Sequence, residues 1–338
     1  MLFTKVSIHT IAHLEAPHVL TSAQISTRLA KTLKRVKLSE TLLERMTGIK
    51  ERRFWSGNIQ PSDVATEVAE KVIQKSGLQK SDIDAVISTS ITKDFLEPSI
   101  ASIVHGNLKL PAKCINFDVG SACLGFLNGI QVAASMIEAG MLKHVLIVSG
   151  ESGHQGMEAT LARLEQTNAN AEDVRNQLAT LTLGSGGVAM IVSHKDSAPA
   201  GHPIKSALFL AASEHARLCC GWHDRMETDA PELLKQALEI KVKTVELAKN
   251  TQGWDLATFD EIVFHQVSKS YINEAIKRLK IDSKKVYLTY PTFGNMASAS
   301  LPYTLSKLSE TGRLVPGKKV ALIGAGSGLN AMVFELVW

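Results

Sequence analysis

The chain has 338 residues, of which 45% are hydrophobic, so it is long enough to bury a large core and to form two domains of ordinary size. The formal net charge is only +4 and the basic residues are scattered, which argues against nucleic acid as a partner. No apolar run approaches the roughly 20 residues that cross a bilayer, so we expect no membrane span.

Cysteine usage and the N-terminal segment both favour a reduced, cytoplasmic protein. The chain has four cysteines, Cys114, Cys123, Cys219 and Cys220. Their spacing matches no paired metal-ligand motif, and a disulfide between the two adjacent ones would be strained, so we expect neither a metal site nor a disulfide. Polar residues at positions 5, 9 and 13 interrupt the first apolar stretch, so no secretory signal peptide is expected.

Short β-branched runs alternate with segments of helical period, which is typical of a layered α/β protein. The first half predicts a strand at 85–90, a helix at 99–110, and then strand, helix and strand at 113–119, 123–140 and 144–150. The second half repeats this order at 261–266, 270–281, 284–290, 296–312 and 318–326. The repeat indicates a duplicated fold, although alternating elements can look alike by chance. Gly140 and Gly312 favour duplication because each stands at the C′ position of the second helix of its half.

The repeat divides the chain into an N-terminal half, residues 1–198, and a C-terminal half, residues 199–338. The polar, proline-containing segment 193–203 is the natural link between them. A charged, helix-prone excursion at 152–182 has no counterpart in the second half, and we interpret it as either a cap over a pocket or a subunit contact. Its acidic residues Glu151, Glu158 and Glu165 are interpreted as solvated charges.

Cys123 is the first candidate for chemistry. It follows a predicted buried strand and a turn of small residues, and it begins a predicted helix. There the positive end of the helix dipole favours the thiolate, the form of cysteine that attacks. The alternative is that Cys123 is only a small hydrophobic residue of the core.

Two further candidates lie in the second half. His265 ends a predicted strand, at the edge where open α/β sheets place ligand chemistry, although a packing role is common there. Asn295 precedes a helix, where asparagine often serves only as a cap. The repeat places the Asn295 loop where the first half has the Cys123 loop, so the two halves could bring Cys, His and Asn around one pocket. The glycine run Gly324, Gly326 and Gly328 precedes a predicted strand and not a helix, so we expect no dinucleotide cofactor.

The motifs DVGSACLGF, FHQVS and GNMASASLP, with TGIKERR near the start and GAGSGLNA near the end, resemble the thiolase superfamily in its ketoacyl synthase III branch. The resemblance implies an α/β thiolase-like fold with two duplicated halves in a five-layer αβαβα arrangement, usually as a homodimer. It implies that Cys123 is acylated by an acyl thioester and that His265 and Asn295 bind the thioester carbonyl of a second substrate. Backbone amides of Cys123 and Ser327 would then form the oxyanion hole.

The segment KDFLEPSIASIV and the excursion at 152–182 resemble the acyl-CoA condensing enzymes of bacterial olefin biosynthesis within this branch. That resemblance implies a non-decarboxylative Claisen condensation of two long-chain acyl-CoAs to a 2-alkyl-3-oxoacyl product, with CoA thioesters as substrates and no other cofactor. Glu97 would be the base, supplied across the dimer interface. On local evidence alone, Glu97 is equally well a helix-start acid.

Three other functions stay open. A decarboxylating 3-oxoacyl-[acyl-carrier-protein] synthase III would use malonyl carrier protein and would need no base. An acyl-binding subunit with a relict site, or a cysteine hydrolase, would release no condensed product. The sequence does not assign the residues that hold the CoA nucleotide: Arg45, Lys50, Arg52 and Arg53 are only generic phosphate candidates, and structural salt bridges explain them as well.

Overall fold

A computed structural model describes residues 1–338. The strands are β1 (Val6–Glu15), β2 (His18–Thr21), β3 (Glu51–Phe54), β4 (Ala85–Ser88), β5 (Ile115–Asp118), β6 (His144–Glu151), β7 (Gly186–His194), β8 (His202–Ala211), β9 (Cys219–Gly221), β10 (Met226–Thr228), β11 (Glu261–Phe264), β12 (Lys319–Gly326) and β13 (Asn330–Val337). The helices are α1 (Ser22–Arg28), α2 (Ala30–Arg35), α3 (Leu42–Thr47), α4 (Pro61–Ser76), α5 (Ile100–Leu108), α6 (Gly125–Glu138), α7 (His154–Leu164), α8 (Ala171–Leu181), α9 (Ala230–Gln252), α10 (Lys269–Arg278), α11 (Tyr290–Phe293) and α12 (Ser300–Ser309). None of the helices is both long and apolar enough to cross a membrane.

The main sheet has nine strands in the order β11-β12-β13-β8-β1-β7-β6-β4-β5. This order is symmetric about the contact between β8 and β1: β13, β12 and β11 on one side correspond to β7, β6 and β4 on the other. Only two residue pairs join β1 to β8, Ser7 with Pro203 and Ile8 with His202. Each half of the sequence therefore builds its own sheet, and the two sheets meet at a short seam.

Alternate side chains of each strand enter different cores, as the pleat of a strand requires. In β6, Val145 and Ile147 face a central core, whereas Leu146 and Val148 face an outer one. The central core contains 34 buried residues drawn from both halves, with α6 and α12 between the two sheets. Helices α4 and α5 cover one outer face, and α9 and α10 cover the other. The predicted five-layer αβαβα fold is confirmed.

The predicted helices and strands of the repeat are confirmed apart from small shifts at their ends, with one exception. Gly140 and Gly312 adopt the left-handed conformation, with φ of 75° and 74°; Gly140 stands at C′ as predicted, and Gly312 one residue beyond it. The predicted strand at 284–290 is wrong, because this segment contributes only one bridge, between Val286 and Ile262.

The side chain of Gln266 explains the missing strand. Its Nε2 donates to the carbonyl of Tyr287 at 2.7 Å, and its Oε1 accepts from the amide of Thr289 at 3.0 Å. A side chain thus satisfies backbone groups that a neighbouring strand would otherwise pair. The segment still lies beside β11, in the place that β5 occupies beside β4 in the first half.

The excursion at 152–182 forms α7 and α8 and packs against α1, α2 and α3. Ile25, Leu29, Met157 and Leu161 are among the buried residues of this contact. Two of the three acidic residues stay partly exposed as expected, but both pair with one guanidinium, that of Arg28: Glu158 at 2.8 Å and Glu165 at 3.0 Å.

Helix α9 carries a buried lysine without a hydrogen-bond partner. Lys241 has no exposed surface, and its Nζ makes no hydrogen bond. The Nζ lies 4.3 Å from the ring centre of Tyr271 and 5.0 Å from that of Phe264. The two aromatic faces attract the ammonium but do not replace its water, so burial lowers the pKa of Lys241 to about 7.

Replacement of Lys241 by Met should stabilise the protein most at acidic and neutral pH. The folded-state pKa of about 7 lies below the ordinary value of 10.5, so the unfolded chain binds more protons between these values. Wild-type stability should therefore rise with pH across this window, and the gain from Lys241→Met should shrink from on the order of 4 kcal/mol at pH 6 toward zero at pH 10. Urea unfolding at several pH values measures it. Lys243→Met, at an exposed position of the same helix, should show no such pH dependence.

Candidate active site

The nucleophile candidate Cys123 lies in a tight turn before a helix. Ala122 to Leu124 form one 3₁₀ turn, Ala122 adopts a positive φ of 46°, and α6 begins at Gly125, two residues later than predicted. A Cβ at Gly125 would lie 2.9 Å from both the Ser298 hydroxyl and the Thr89 carbonyl. Only glycine permits this approach, which fixes the turn against the second half of the chain.

The second half presents a matching turn. Ala297 to Ala299 form a 3₁₀ turn before α12, and Ala297 has a positive φ of 50°. The two turns meet where the Ser298 hydroxyl lies against Gly125, and that hydroxyl also donates to Thr89 Oγ1, after β4, at 3.2 Å. The repeat thus brings the Cys123 loop and the Asn295 loop together, as their positions in the sequence suggested.

Asn295 does cap its turn, but only with its oxygen. Oδ1 accepts from the amide of Ala297 at 3.0 Å and from the Ser300 hydroxyl at 3.2 Å. Since the Ala297 amide can only donate, the other end of the side chain is Nδ2, whose two N–H groups remain for other acceptors. The capping role considered from the sequence therefore orients the amide for a second role.

His265 follows β11 and is buried beside Asn295. Its amide donates to Ile323 O at 3.1 Å, which fixes it against β12. Burial, reinforced by the charge of Lys241, lowers the pKa of His265 to about 4, although the Asn295 side chain and the Ala325 backbone partly oppose this. The imidazole is therefore neutral at pH 7, and its Nε2 has no hydrogen-bond partner within the chain.

The oxyanion-hole candidate Ser327 lies in the turn between β12 and β13. The preceding residue, Gly326, is so close to the nucleophile turn that a Cβ on it would lie 3.2 Å from Cys123 N and 3.1 Å from Leu124 N. The absence of a side chain at Gly326 lets the Ser327 turn approach Cys123. The turn that carries the Ser327 amide therefore lies against the turn that carries the Cys123 amide.

The Cys123 thiol is protonated at rest. Cys123 is partly exposed, but its sulfur is buried. Burial is the main cause that raises the pKa of the thiol to about 12, and the charges of Cys219 and Glu151 are smaller causes in the same direction. Burial raises the pKa of the nearby Tyr271 hydroxyl, and the negative charge of a Cys123 thiolate would raise it further. Attack by Cys123 therefore requires loss of the thiol proton during the reaction.

Glu151 is a buried acidic residue that the sequence analysis placed wrongly. It is 1% exposed, not solvated, because it ends the buried strand β6 and does not belong to the excursion. Burial raises the pKa of the Glu151 carboxyl to about 7, because its effect is larger than that of the four hydrogen bonds that lower this pKa. The available signal was its position at the carboxyl end of a parallel strand, the same signal that singled out His265.

Glu97 lies outside the pocket of its own chain. It is exposed in a projecting loop, residues 91–98, beside Phe95 and Leu96, which are 58% and 91% exposed. Helix α5 begins only at Ile100, with Ser99 as its cap, so Glu97 is not the helix-start acid. The structure thus brings the segments that carry Cys123, His265, Asn295 and Ser327 together but leaves Glu97 exposed on its loop.

The four generic phosphate candidates do not form a cluster. Arg52 is fully buried, donates to the Leu181 carbonyl at 2.9 Å, and cannot meet a solvent-borne phosphate. Arg53 lies 3.7 Å from Glu15 in an ion pair. Structural roles account for these two, while Arg45 and Lys50 are exposed.

Two family models match the chain. Residues 117–209 match the 3-oxoacyl-[acyl-carrier-protein] synthase III family, and residues 249–338 match the C-terminal domain of the same enzymes. The first range contains Cys123, and the second contains His265, Asn295 and Ser327.

Relatives that match over the full length of the chain identify a narrower family. The acyl-CoA:acyl-CoA alkyltransferase of Xanthomonas campestris is 41% identical, and that of Shewanella oneidensis is 32% identical, each with 100% of both chains covered. The β-ketoacyl-[acyl-carrier-protein] synthase III of Clostridium tetani is 27% identical over 90% of this chain and 91% of its own.

Solved structures agree with these relatives. Xanthomonas campestris OleA with bound lauric acid and lauroyl-CoA superposes with a TM-score of 0.98 at 41% identity, covering 100% of both chains. Other structures of that protein carry substitutions of a glutamate, a cysteine or a histidine, which lie at the same intervals along its chain as Glu97, Cys123 and His265 do here. The chain therefore belongs to the ketoacyl synthase III-like branch of the thiolase superfamily, in the family of the OleA acyl-CoA:acyl-CoA alkyltransferases.

Proposed function

We propose that this protein catalyses the non-decarboxylative Claisen condensation of two long-chain acyl-CoAs through an acyl-Cys123 thioester. The observation that carries the proposal is the full-length similarity to an acyl-CoA:acyl-CoA alkyltransferase, with Glu97, Cys123 and His265 at matching intervals. The decarboxylating synthases are more distant relatives. The reaction needs no cofactor beyond the CoA of its substrates, and we place it in the cytoplasm.

The first step loads the nucleophile. The Cys123 sulfur bonds to the carbonyl carbon of one acyl-CoA, the bond from that carbon to the CoA sulfur breaks, and the thiol proton leaves with CoA. Negative charge develops on the carbonyl oxygen in this step. The backbone amides of Cys123 and Ser327, which Gly326 allows to approach each other, donate to that oxygen.

The second step forms the carbon–carbon bond. A carboxylate removes a proton from the α-carbon of the second acyl-CoA, and the resulting enolate oxygen accepts from neutral His265 and from Asn295 Nδ2. The α-carbon bonds to the carbonyl carbon held on Cys123, the carbon–sulfur bond breaks, and the sulfur recovers a proton from the base. The product is a 2-alkyl-3-oxoacyl-CoA, and hydrolysis of its thioester gives the 3-keto acid.

The base in this scheme is Glu97 of the partner subunit in a homodimer. Strand β5 lies at one end of the main sheet, and the projecting loop is tied to it by Lys93 and Asp118 at 2.6 Å. Exposed apolar side chains lie both on this loop and on β5, where Ile115 is 42% exposed. A second copy that covers this surface would bury the apolar residues and receive Glu97 in its own pocket.

The Cys123→Ala variant should release no CoA from a long-chain acyl-CoA supplied as sole substrate. The wild-type protein should release CoA continuously and form a β-keto product, because neither step requires a malonyl donor. Thiol titration of free CoA and mass spectrometry of the product measure both. Cys220→Ala provides the matched control. Product that appears only after malonyl carrier protein is added would instead indicate a decarboxylating synthase.

The Glu97→Gln variant should separate the two steps. Acylation of Cys123 should still release one CoA per site, whereas condensation should fall by about 100-fold or more because the α-carbon loses its base. Intact-protein mass spectrometry detects the trapped acyl group, and Glu274→Gln, at an exposed position of α10, is the control. Unchanged condensation with normal acylation would remove Glu97 from the mechanism.

Replacement of Leu96 by Lys should weaken the dimer and with it condensation. The change places a charge in the centre of the surface that the second copy buries, so the dissociation constant should rise by at least about tenfold. Sedimentation equilibrium measures it. Met141→Lys, at a 66% exposed position at the opposite end of the strands, should leave association unchanged. Equal association of both variants would place the interface elsewhere.

A further inference from the structure

We propose that Glu151 is a positioning residue: its buried carboxylate holds the base of the projecting loop and so determines where Glu97 enters the partner subunit. The inference rests on the proposed function, in which Glu97 acts across the interface. Glu151 does not touch the reacting atoms in this scheme. It acts on the other subunit's reaction through the loop of its own chain.

Hydrogen bonds from the loop occupy the Glu151 carboxylate. Oε1 accepts from the amide of Ile91 at 2.9 Å, and Oε2 accepts from the amide of Thr92 at 3.1 Å and from its hydroxyl at 2.9 Å. The Ser149 hydroxyl donates the fourth bond, to Oε1 at 3.2 Å. No lysine, arginine or histidine pairs with this carboxylate, so its lost hydration is offset only in part, by the three loop donors and Ser149.

The glutamate is itself held rigidly. It is the last residue of β6, and its carbonyl accepts from the indole Nε1 of Trp55 at 3.0 Å. The hydroxyl of Thr92 also accepts from the amide of Ser152 at 3.0 Å, which joins the loop to the segment after β6. The loop therefore starts from a fixed point at the carboxyl end of a central strand.

Two further anchors fix the next part of the loop and leave its tip free. Lys93 pairs with Asp118, and Asp94 accepts from the amide of Ser62 at 3.0 Å and from its hydroxyl. Asp118 also accepts from the amide of Ala101 at 2.9 Å, which ties the start of α5, just after the loop, to β5. Residues 95–98 between these anchors are exposed. The first residues of the loop are therefore fixed while its tip is exposed, and Glu151 holds the first two of them.

Glu151 also borders the Cys123 of its own chain, since its charge contributes to the raised pKa of that thiol. A direct effect on its own Cys123 is therefore the competing explanation. The hydrogen bonds favour the loop, because three of the four donors to the carboxylate belong to Ile91 and Thr92. In Glu151→Gln, an N–H₂ group would face one of the loop amides, which would displace the loop.

Mixed dimers separate the two explanations. In the first mixed dimer, one subunit carries Cys123→Ala and the other carries Glu151→Gln. The only working cysteine then lies in the Glu151→Gln subunit and receives Glu97 from an intact loop. In the second, one subunit carries both substitutions and its partner is wild type, so the working cysteine receives Glu97 from the altered loop. Differently tagged subunits allow each mixed dimer to be purified.

We expect the first mixed dimer to condense long-chain acyl-CoA at the rate of a Cys123→Ala and wild-type pair, and the second to be slower by about 100-fold, because small displacements of a reacting group have effects of that size. Cys123 acylation should be normal in both. Thr92→Val, which removes one loop donor and keeps Glu151, should show the same subunit dependence with a smaller loss. Glu158→Gln, on the exposed face of α7, should show no loss.

The reverse pattern, with the first mixed dimer slow and the second normal, would overturn the inference and assign Glu151 to its own Cys123. The same pair of dimers built with Glu97→Gln tests the proposed function separately. If Glu97 shows the subunit dependence and Glu151 and Thr92 do not, the positioning role is wrong and the proposed function stands. If Glu97 shows none, action across the interface is wrong, and the inference fails with it.

Discussion

The close contact between two helix-initiating turns is the constraint on which the rest of the site depends. Cys123 and Asn295 come from different halves, and they share a pocket only because Gly125 and Gly326 have no side chains where the halves touch. A methyl group at either position would come within about 3 Å of backbone or hydroxyl atoms across the contact. The approach of the Ser327 turn to the Cys123 turn depends on the same contact, whereas the cap hydrogen bonds of Asn295 orient its amide and β12 holds His265.

The electrostatics of the pocket suit a reaction in which charge appears only transiently. Burial keeps His265 neutral and Cys123 protonated at pH 7. Neither group therefore carries a full charge before substrate arrives, and in the proposed reaction the N–H donors meet oxygen atoms that become negative during each step. Fixed donors that need no rearrangement give the largest stabilisation of such charge.

The sequence predicted the architecture well because duplication leaves a periodic signal in hydrophobicity and in the glycines that end helices. The prediction of a strand at 284–290 failed because the side chain of Gln266 pairs with the backbone of this segment. The hydrophobic periodicity of a sequence gives no sign of such hydrogen bonds. Glu151 was assigned to the solvent because it adjoins a charged segment, whereas its burial depends on loop amides that lie about 60 residues earlier. The proposed catalytic trio and the supply of Glu97 across an interface were predicted from the family resemblance, but the exposure of Glu97 that supports this proposal is defined only by the fold.

The central core has a consequence for how the protein is made. By residue 194 the N-terminal sheet and its outer helices α4 and α5 are complete, and one outer core can close. The inner face of that sheet and the apolar side of α6 have no cover until α12, β12 and β13 are synthesised, more than 100 residues later. A nascent chain therefore exposes a large apolar face for many seconds of translation, and chaperone binding during synthesis should concentrate on that half-finished surface.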